Sequence, residues 1–524
     1  MTTQPVNKWI VALSIAFGSL MATIDSSIVN VALPQIRGSV GATLEEITWI
    51  STSYIIAMVL IMPLTGILGA IFGQKNLYLG SLVLFILGSV LCGIAHTLPI
   101  LILFRILQGL GAGSLQPSQQ AILRQTFPPQ EQGMAMALFS MVIMVGPAIG
   151  PTLGGWIIDN FNWPWIFYIN LPVGILGIFM TWKNVHEPDD VKEANRVRGE
   201  SLKTHMDWAG IILMVIAVST LQYFLEEGPS KDWFESNVIL ATGLISAISF
   251  IALAIRELTF SHPVINLRLF NDPTFLSGTV ISGVMFGVLM GSMFLLPVFM
   301  QELLGFNATM SGVNLMPRTL AMLAVTPVVG KLYNHVKPAY TVAVGVLLFI
   351  FGSFQLSHLT LQSSSSDIII PLLITGVGLA CLFVPLTTAA LTHIPRHHLA
   401  DAAGLNSFVR QIGGSVGLTI VATLLVRYGK IATSTVSWHI SGLRPEVADA
   451  VAALTKKFSY LGPDQAQVLV TKMLLGRATL QGMVLAFDKA FLLQGIAFVV
   501  VLPMLFFLRV GKSAPAEKIE VHIE

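Results

Sequence analysis

The feature that most constrains the fold of this chain is a series of fourteen long apolar segments. A helix that crosses a lipid bilayer needs roughly 20 predominantly apolar residues, and each segment is close to that length. Only 11% of the 524 residues are charged, against about 25% in soluble proteins, so most of the surface must face lipid. The sequence therefore predicts an all-α membrane protein with fourteen transmembrane helices. The predicted spans are residues 9–33, 46–70, 77–96, 99–122, 133–156, 163–183, 207–225, 237–256, 273–300, 311–331, 338–358, 366–392, 403–427 and 486–508.

Three short similarities between the first and second parts of the chain indicate an internal duplication. They join PLTG at 63–66 with PVVG at 327–330, GLGAGSLQP at 109–117 with GVGLACLFVP at 376–385, and two glycines thirteen residues apart at 133 and 146 with another two at 404 and 417. Their offsets of 264 to 271 residues exceed the roughly 190 residues that six spans with short loops occupy. The excess leaves room for two inserted helices.

The predicted organisation is a pair of six-helix halves with two helices inserted between them. Parallel halves of this kind place the substrate site of a transporter between them, near the bilayer midplane. The predicted boundaries are an N-terminal half at 1–183, a cytoplasmic linker at 184–206, two inserted spans at 207–256, a C-terminal half at 257–508 that includes an outer loop at 428–485, and a cytoplasmic tail at 509–524.

Lysine and arginine residues are distributed unequally between the two sides of the predicted spans. With the N-terminus in the cytoplasm, the inner segments contain sixteen of them, whereas the short outer loops contain only Arg37 and Lys231. Cytoplasmic loops carry such an excess, and long loops such as 428–485 cross the membrane regardless of charge. Both termini are therefore predicted to be cytoplasmic.

Asp25 lies within the first predicted span, where an ionisable side chain is costly and is expected to face the protein interior. It belongs to a helical stripe of mostly small residues, which let neighbouring helices approach closely. A buried carboxyl group in a site that opens alternately to either side of the membrane can bind and release a proton. Asp25 is therefore a candidate for proton coupling or for binding a cationic substrate. The alternative is a fixed hydrogen bond or ion pair that only holds helices together.

Arg105 lies on a polar stripe of the fourth predicted span, which also contains Gln108, Gln116 and Gln119. These residues share one face at 3.6 residues per turn, and a polar face in a membrane should line water or protein. Counted from the outer ends of their spans, Arg105 and Asp25 lie at similar depths, which permits pairing. Arg105 is thus the second candidate for proton coupling, unless it only braces the packing of its helix.

Other polar or flexible side chains in the spans are candidates for a substrate pathway. Arg410 in the thirteenth span is expected to pair across helices or to contact a substrate, with plain packing as the alternative. Methionine side chains adapt to varied ligands, although ordinary membrane packing explains them equally well. The candidate pathway residues are Asn30, Gln108, Gln116, Met141, Met144, Met290 and Arg410. Arg318, near the outer end of its span, is expected to form a structural pair with Glu302.

Several motifs resemble the EmrB/QacA family of fourteen-helix drug:proton antiporters in the major facilitator superfamily. The motifs are IDSSIVNVALPQI at 24–36, RILQGLGAG at 105–113, GPAIGPTLGG at 146–155, WPWIFYINLPVG at 163–174 and PVINLRLF at 263–270. The resemblance covers nearly the whole chain, including the inserted helices. It implies an antiporter role for a packed seam built on the fifth span, as an alternative to an ordinary proline kink. The residues of that motif are Gly146, Pro147, Gly150, Pro151, Gly154 and Gly155.

One motif departs from the pattern of the family. The loop between helices two and three usually reads Gly-x-Leu-x-Asp-Arg-x-Gly-Arg in this superfamily, and here it is GILGAIFGQK at 66–75. Gly66, Gly73 and Lys75 remain, but Ala70 and Ile71 stand at the acidic and basic positions. The inner-gate salt bridge that the family pattern implies cannot form from these residues, so another contact must close the cytoplasmic side.

The outer loop 428–485 is long enough for two helices, predicted at 444–458 and 462–476 from the proline near the start of each and the basic residues that follow. An apolar face there could dock on the transporter, the membrane surface or a partner. Resemblance to family members from double-membraned bacteria implies a periplasmic adaptor protein and an outer-membrane channel, and it places the chain in the bacterial cytoplasmic membrane. No basic tract suggests nucleic acid, and no pattern suggests a cofactor or a metal.

The sequence as a whole favours a proton-coupled multidrug efflux antiporter that exports apolar or amphipathic compounds by alternating access. It contains no phosphate-binding loop, and GGSVG at 413–417 lies within a span, where a hydrolase nucleophile elbow cannot form; the chain is therefore not expected to be an enzyme. The alternatives are an exporter of one metabolite, such as a siderophore, and a non-transporting membrane receptor or scaffold.

Overall fold

A computed structural model describes residues 7–204, 206–260, 263–439, 445–458, 460 and 462–508. Within that part of the chain, fourteen helices are long and apolar enough to cross a membrane, which confirms the predicted number of spans. No β-strand occurs in it. Spans 1 to 14 are Lys8–Val40, Glu45–Phe72, Gln74–Gly93, Leu98–Thr126, Pro129–Asn160, Trp165–Asn184, Trp208–Glu227, Asn237–Thr259, Pro273–Leu303, Met310–Leu332, Pro338–Leu356, Ser365–Ala390, Arg396–Trp438 and Asp464–Phe507.

Local signals set the ends of the first span and the start of the second. The side chain of Asn7 accepts a hydrogen bond from the backbone N–H of Trp9 and so caps the first turn of span 1. Gly41 ends that span in the left-handed conformation, with φ 67°, and its N–H donates to the carbonyl of Arg37. Thr43 and Glu46 then form a capping box, so the connection between the two helices is short and well defined.

Packing within each predicted half is mediated by close helix contacts. Span 1 packs against spans 5 and 6, and span 4 against spans 2 and 3; on the other side, span 9 packs against span 13, and span 12 against spans 10 and 11. In the contact between spans 9 and 13, Gly287 lies against Gly413 and Gly417, where any side chain would collide with backbone atoms. Small residues of this kind allow close packing where lipid provides no hydrophobic driving force.

Spans 7 and 8 pack against each other and touch the rest of the protein through spans 2 and 13. The hydroxyl group of Thr419 in span 13 donates to the carbonyl of Leu225 in span 7 at 2.9 Å. The ring of Tyr223 in span 7 stacks on Trp49 in span 2, with 5.9 Å between centroids. The inserted pair therefore contacts both predicted halves, although the division of the chain into these units stays a prediction.

The segment 184–206, predicted as a polar linker, contains a helix at Asp189–Thr204, called here the linker helix. Aspartates in its first turn favour a helix start through the helix dipole. It packs against span 2 and the start of span 13, at the same end of the molecule as the N-terminus of span 1. We refer to that end as the linker side.

The predicted outer loop 428–485 is largely taken up by extensions of spans 13 and 14. A helix at Pro445–Lys457 matches the first predicted loop helix, but the second is wrong as a separate element. It is continuous with span 14, because no helix-breaking proline follows Pro463 until the helix end. The two spans contain 43 and 44 residues, or about 65 Å each, roughly twice the thickness of the hydrocarbon core. The predicted tail 509–524 lies outside the described residues.

Candidate functional site

Asp25 lies in the interior of the N-terminal half, with its side chain completely buried. Its Oδ2 accepts a hydrogen bond from Arg105 Nη1 at 2.6 Å. Its Oδ1 accepts two more, from Gln108 Nε2 at 2.8 Å and from Asn170 Nδ2 at 3.0 Å. Spans 1, 4 and 6 thus bring together four residues, Asp25, Arg105, Gln108 and Asn170, which we call the Asp25 cluster.

The guanidinium group of Arg105 is held by several partners besides the carboxylate. Its Nε donates to the carbonyl of Ile50 at 3.1 Å, and Nη1 also donates to Gln108 Oε1 at 2.7 Å. Its Cζ lies 4.0 Å from the ring centroid of Tyr54, a cation–π contact. The two buried charges compensate each other, and removing one partner of such a pair costs about 3–5 kcal/mol.

Sequence reasoning did not single out Asn170 or Tyr54 as members of this site. Asn170 also donates to Ser89 Oγ at 3.0 Å, so it links spans 1, 3 and 6. The available signal was an amide side chain at the start of an otherwise apolar stretch, in YINLPVG at 168–174. Tyr54 gave no comparable signal, because an aromatic residue in a span is ordinary.

The glycine motif of span 5 packs directly on the helix that carries Asp25. Gly146 lies against Thr23, Gly150 against Ser27 and Gly154 against Ile28, so a Cβ atom at any of these glycines would collide with span 1. These glycines recur every four residues and therefore share one face of the helix. Gly155 has open space around its Cα, while Pro147 and Pro151 lie inside a helix that continues to Asn160.

The predicted pathway residues do not form one group. Gln108 belongs to the Asp25 cluster, and Gln116 accepts from Arg410 Nη2 at 3.2 Å. Asn30, nearer the outer end of span 1, accepts from Ser51 Oγ at 3.0 Å. Met144 is buried in the core and Met141 is partly buried, while Met290 would contact a side chain placed at Gly414. The hydrogen bond between Gln116 and Arg410 joins the two predicted halves.

The predicted pair of Arg318 and Glu302 is wrong. Arg318 Nη1 donates instead to Ser292 Oγ at 2.8 Å, because the buried guanidinium points toward span 9. No ion pair within the described ranges includes Glu302, which is exposed in the last turn of span 9. Arg318 is therefore a buried cation held by a neutral partner.

On the linker side, the loop with the departing motif is covered by the linker helix. Gly199 of that helix lies against the carbonyl of Ala70, and Gly66 lies against Asp401 at the start of span 13. Arg198 binds the buried carboxylate of Asp401 through two hydrogen bonds, at 2.6 and 3.1 Å. These contacts join the linker helix, span 2 and span 13.

The remaining residue of the motif, Lys75, takes no part in that ion pair. Its Nζ donates to the carbonyl of Trp182 at 2.7 Å, and its backbone N–H donates to Glu187 Oε1 at 2.7 Å. Gly73 adopts a φ of 84°, which favours glycine. The loop is thus fixed to span 6 and the residues that follow it, while Arg198 and not Lys75 binds the Asp401 carboxylate of span 13.

A cavity of about 430 Å³ lies between spans 7 and 13, lined by Leu225, Trp233, Val416, Thr419, Ile420, Thr423, Leu424, Arg427, Tyr428 and Ile431. It contains none of the predicted site residues and is separate from the Asp25 cluster. Across the part of the chain that the structure covers, no group of three or more His, Cys, Asp or Glu side chains is placed to hold a metal ion.

Comparison with known proteins adds family information to this geometry. A sequence model of the Major Facilitator Superfamily matches residues 15–418. The chain is 32% identical to the multidrug export protein EmrB of Haemophilus influenzae over 502 residues, which cover 95% of each chain. It is also 32% identical to the fatty acid resistance protein FarB of Neisseria gonorrhoeae over 499 residues, covering 95% of this chain and 96% of FarB.

Two solved structures share the fold at low sequence identity. The human organic anion transporter MFSD10 superposes with a TM-score of 0.58 at 13% identity, covering 97% of this chain and 100% of that one. The proton:xylose symporter XylE superposes with a TM-score of 0.57 at 14% identity, covering 93% and 94% of the two chains.

Proposed function

We propose that this chain exports apolar or amphipathic drug-like compounds in exchange for protons. It belongs to the major facilitator superfamily and is a relative of the EmrB export proteins. It is therefore a multi-pass secondary transporter and not an enzyme. Relatives over nearly its whole length are a multidrug export protein and a fatty acid resistance protein. One name concerns the export of drugs and the other resistance to fatty acids, which supports this substrate class.

Proton coupling is assigned to Asp25, and the observation that carries the assignment is its fully buried ion pair with Arg105. A buried carboxylate is stable as an anion only while a cation and hydrogen-bond donors hold it. A movement of span 1 against span 4 that separates the two groups makes the carboxyl group take up a proton. Each transport cycle that remakes the pair releases that proton, which couples the gradient to helix movement.

The direction of transport follows from the predicted orientation. The linker side, where most of the lysine and arginine residues of the predicted inner segments lie, is assigned to the cytoplasm, and the extensions of spans 13 and 14 to the outside of a bacterial cytoplasmic membrane. A unit charge that crosses 100 mV carries about 2.3 kcal/mol, so one proton supports roughly 50-fold accumulation of an exported neutral compound. We propose that the extensions bind a periplasmic adaptor protein that leads to an outer-membrane channel, and their length, roughly twice the thickness of the hydrocarbon core, supports this proposal.

The test is proton release from detergent-solubilised protein when substrate is added. Asp25→Asn mimics the protonated acid and should abolish both this release and dye efflux driven by a pH gradient in proteoliposomes, while neutral substrates still bind. Asp488→Asn is the matched control, since it removes a carboxyl group from span 14 outside the Asp25 cluster. Unchanged proton release in Asp25→Asn, or its loss in the control alone, would assign the proton to another residue.

A further inference from the structure

We infer that Arg410 binds the anionic group of an amphipathic substrate in a site formed between the two halves, so that the pump selects organic anions with an apolar body. This inference rests on the proposed export function and specifies its substrate class. It starts from a buried cation that the protein itself leaves uncompensated.

The side chain of Arg410 is 1% exposed, yet no carboxylate among the described residues forms an ion pair with it. Nη2 donates to Gln116 Oε1 at 3.2 Å, and Nη1 is buried without a hydrogen-bond partner in the described structure. An unpaired buried charge is strongly unfavourable. The stable arrangement is one in which a further acceptor, carrying negative charge, binds Nη1.

Arg105 shows what a satisfied guanidinium looks like in the same protein. It is equally buried, but Asp25, Gln108 and the carbonyl of Ile50 accept its hydrogen bonds. The difference between the two arginines therefore lies in their partners and not in their depth. Arg105 is paired by the protein, and Arg410 is left for a ligand.

Three aromatic rings enclose the Arg410 guanidinium. Its Cζ lies 5.7 Å from the ring centroid of Phe139, 5.4 Å from that of Phe286 and 5.5 Å from that of Phe383. These rings come from spans 5, 9 and 12, while Gln116 comes from span 4. Rings at this distance hold the cation in place and offer apolar faces to the body of a ligand whose charged end meets Arg410.

The polar side chains beside Arg410 are neutral. Asn406 and Ser407 lie about one turn before it in span 13, and Gln119 lies one turn after Gln116 in span 4, with which span 13 packs. All are buried, with side-chain atoms that lack hydrogen-bond partners in the described structure. Amide and hydroxyl donors complement an anion, whereas a cationic ligand would find no counter-charge among them.

The position of Arg410 in the fold is that of a transport site. Five spans from both predicted halves meet at its side chain. Two turns toward the linker side, Gly404 lies against the carbonyl of Met62 in span 2, where the halves are in close contact. Arg410 is thus about 9 Å from the closed seam along the helix, near the midplane region where transporters of this architecture bind substrate.

The inference is tested with two fluorescent probes that share one apolar body. 8-Anilinonaphthalene-1-sulfonate carries a permanent negative charge, and N-phenyl-1-naphthylamine is the same skeleton without it. Their dissociation constants are measured with the full-length protein in detergent. Arg410→Gln should weaken binding of the sulfonate about tenfold or more and leave binding of the neutral probe within about twofold, whereas Arg410→Lys, which keeps the charge, should fall between parent and Gln variant.

Arg318→Gln is the matched control, because Arg318 is also a buried cation without a carboxylate partner but lies in span 10. Equal loss of sulfonate binding in both variants would show a general charge effect and overturn the Arg410 site, as would unchanged binding in Arg410→Gln. If Arg410→Gln does not fold, the test uses Arg410→Lys and the parent protein. The Arg410 site would be overturned if Arg410→Lys bound the sulfonate with parental affinity and the parent bound both probes equally well.

The same experiment separates this inference from the proposed function. Asp25→Asn should keep the charge preference in binding while losing gradient-driven efflux. An absence of efflux in the parent, with sulfonate binding that depends on Arg410, would contradict proton-coupled export but leave the binding site intact. Proton-coupled efflux by a parent protein that binds both probes equally well would support the export function and contradict the Arg410 site.

Discussion

At the scale of single residues, the Asp25 cluster is a buried ion pair whose two charges compensate each other. Its charges are fully buried, and every one has a partner. A purely structural pair and a proton carrier look alike in such a geometry, because both need satisfied hydrogen bonds. They differ in their response when both charges are removed together. Transport should survive if the pair is only structural, and it should be lost if Asp25 carries the proton.

We expect Arg105→Gln to lower the free energy of unfolding by about 3–5 kcal/mol, because it leaves the Asp25 carboxylate buried without its cation. The double variant Asp25→Asn with Arg105→Gln replaces the ion pair by two amides and should recover most of that stability, yet it should still show no gradient-driven efflux. Thermal unfolding and proteoliposome efflux are measured on the same preparations. Parental efflux from a stable double variant would show that the pair only holds helices together.

At the scale of helices, the glycines of span 5 connect a sequence motif with the position of Asp25. Gly150 meets Ser27, two residues after Asp25, whereas Gly155 faces open space. We expect Gly150→Ala to push span 5 away from span 1, at a cost of about 1–3 kcal/mol, and to reduce efflux. Gly155→Ala adds the same methyl group without a contact and should behave like the parent; similar losses in the two variants would point to backbone effects of alanine instead of the seam.

The linker helix gives the missing inner-gate contact a location. Arg198→Ala should weaken the closed linker side, because the buried Asp401 carboxylate loses its bidentate partner. The measurement is the rate at which a maleimide labels Met62→Cys in a background with Cys92 and Cys381 replaced by alanine. Faster labelling is expected for Arg198→Ala.

Two variants control this experiment. Arg196→Ala changes an exposed arginine of the same helix whose partners, Glu193 and Glu200, lie on that helix. Lys75→Ala changes the remaining charge of the departing motif and should cost little transport. If Arg196→Ala or Lys75→Ala accelerated labelling as much as Arg198→Ala does, the pair of Arg198 and Asp401 would have no specific role.

How much of this could be read from the sequence depends on the range of the interactions involved. The fourteen spans follow from local apolar composition, and the similar depths of Asp25 and Arg105 follow from counting residues along two helices. The partner of Asp401 could not be predicted in the same way, since Arg198 lies 203 residues away in a segment of ordinary polar composition. Asn170 was hidden for a related reason, because its role depends on where span 6 packs.

At the scale of the whole molecule, the extensions of spans 13 and 14 are separate from both charged sites. We expect that replacing residues 440–462 by a short glycine–serine linker weakens export from whole cells, because a partner loses its docking surface, while proton-linked transport in proteoliposomes persists. Cell survival and vesicle efflux are compared for the same variant. Loss of both activities in well-folded protein would place the extension in the transport cycle itself.

These extensions pack against each other beyond the bilayer, where Gly482 of span 14 lies against Thr433 of span 13. Each is continuous with a helix inside the membrane, and span 13 is the helix that carries Arg410. A small tilt of span 13 at the level of Arg410 is therefore magnified at the far end of a rod about 65 Å long. The extended helix would then act as a lever. A protein bound to its tip would be displaced when substrate binding at Arg410 tilts span 13.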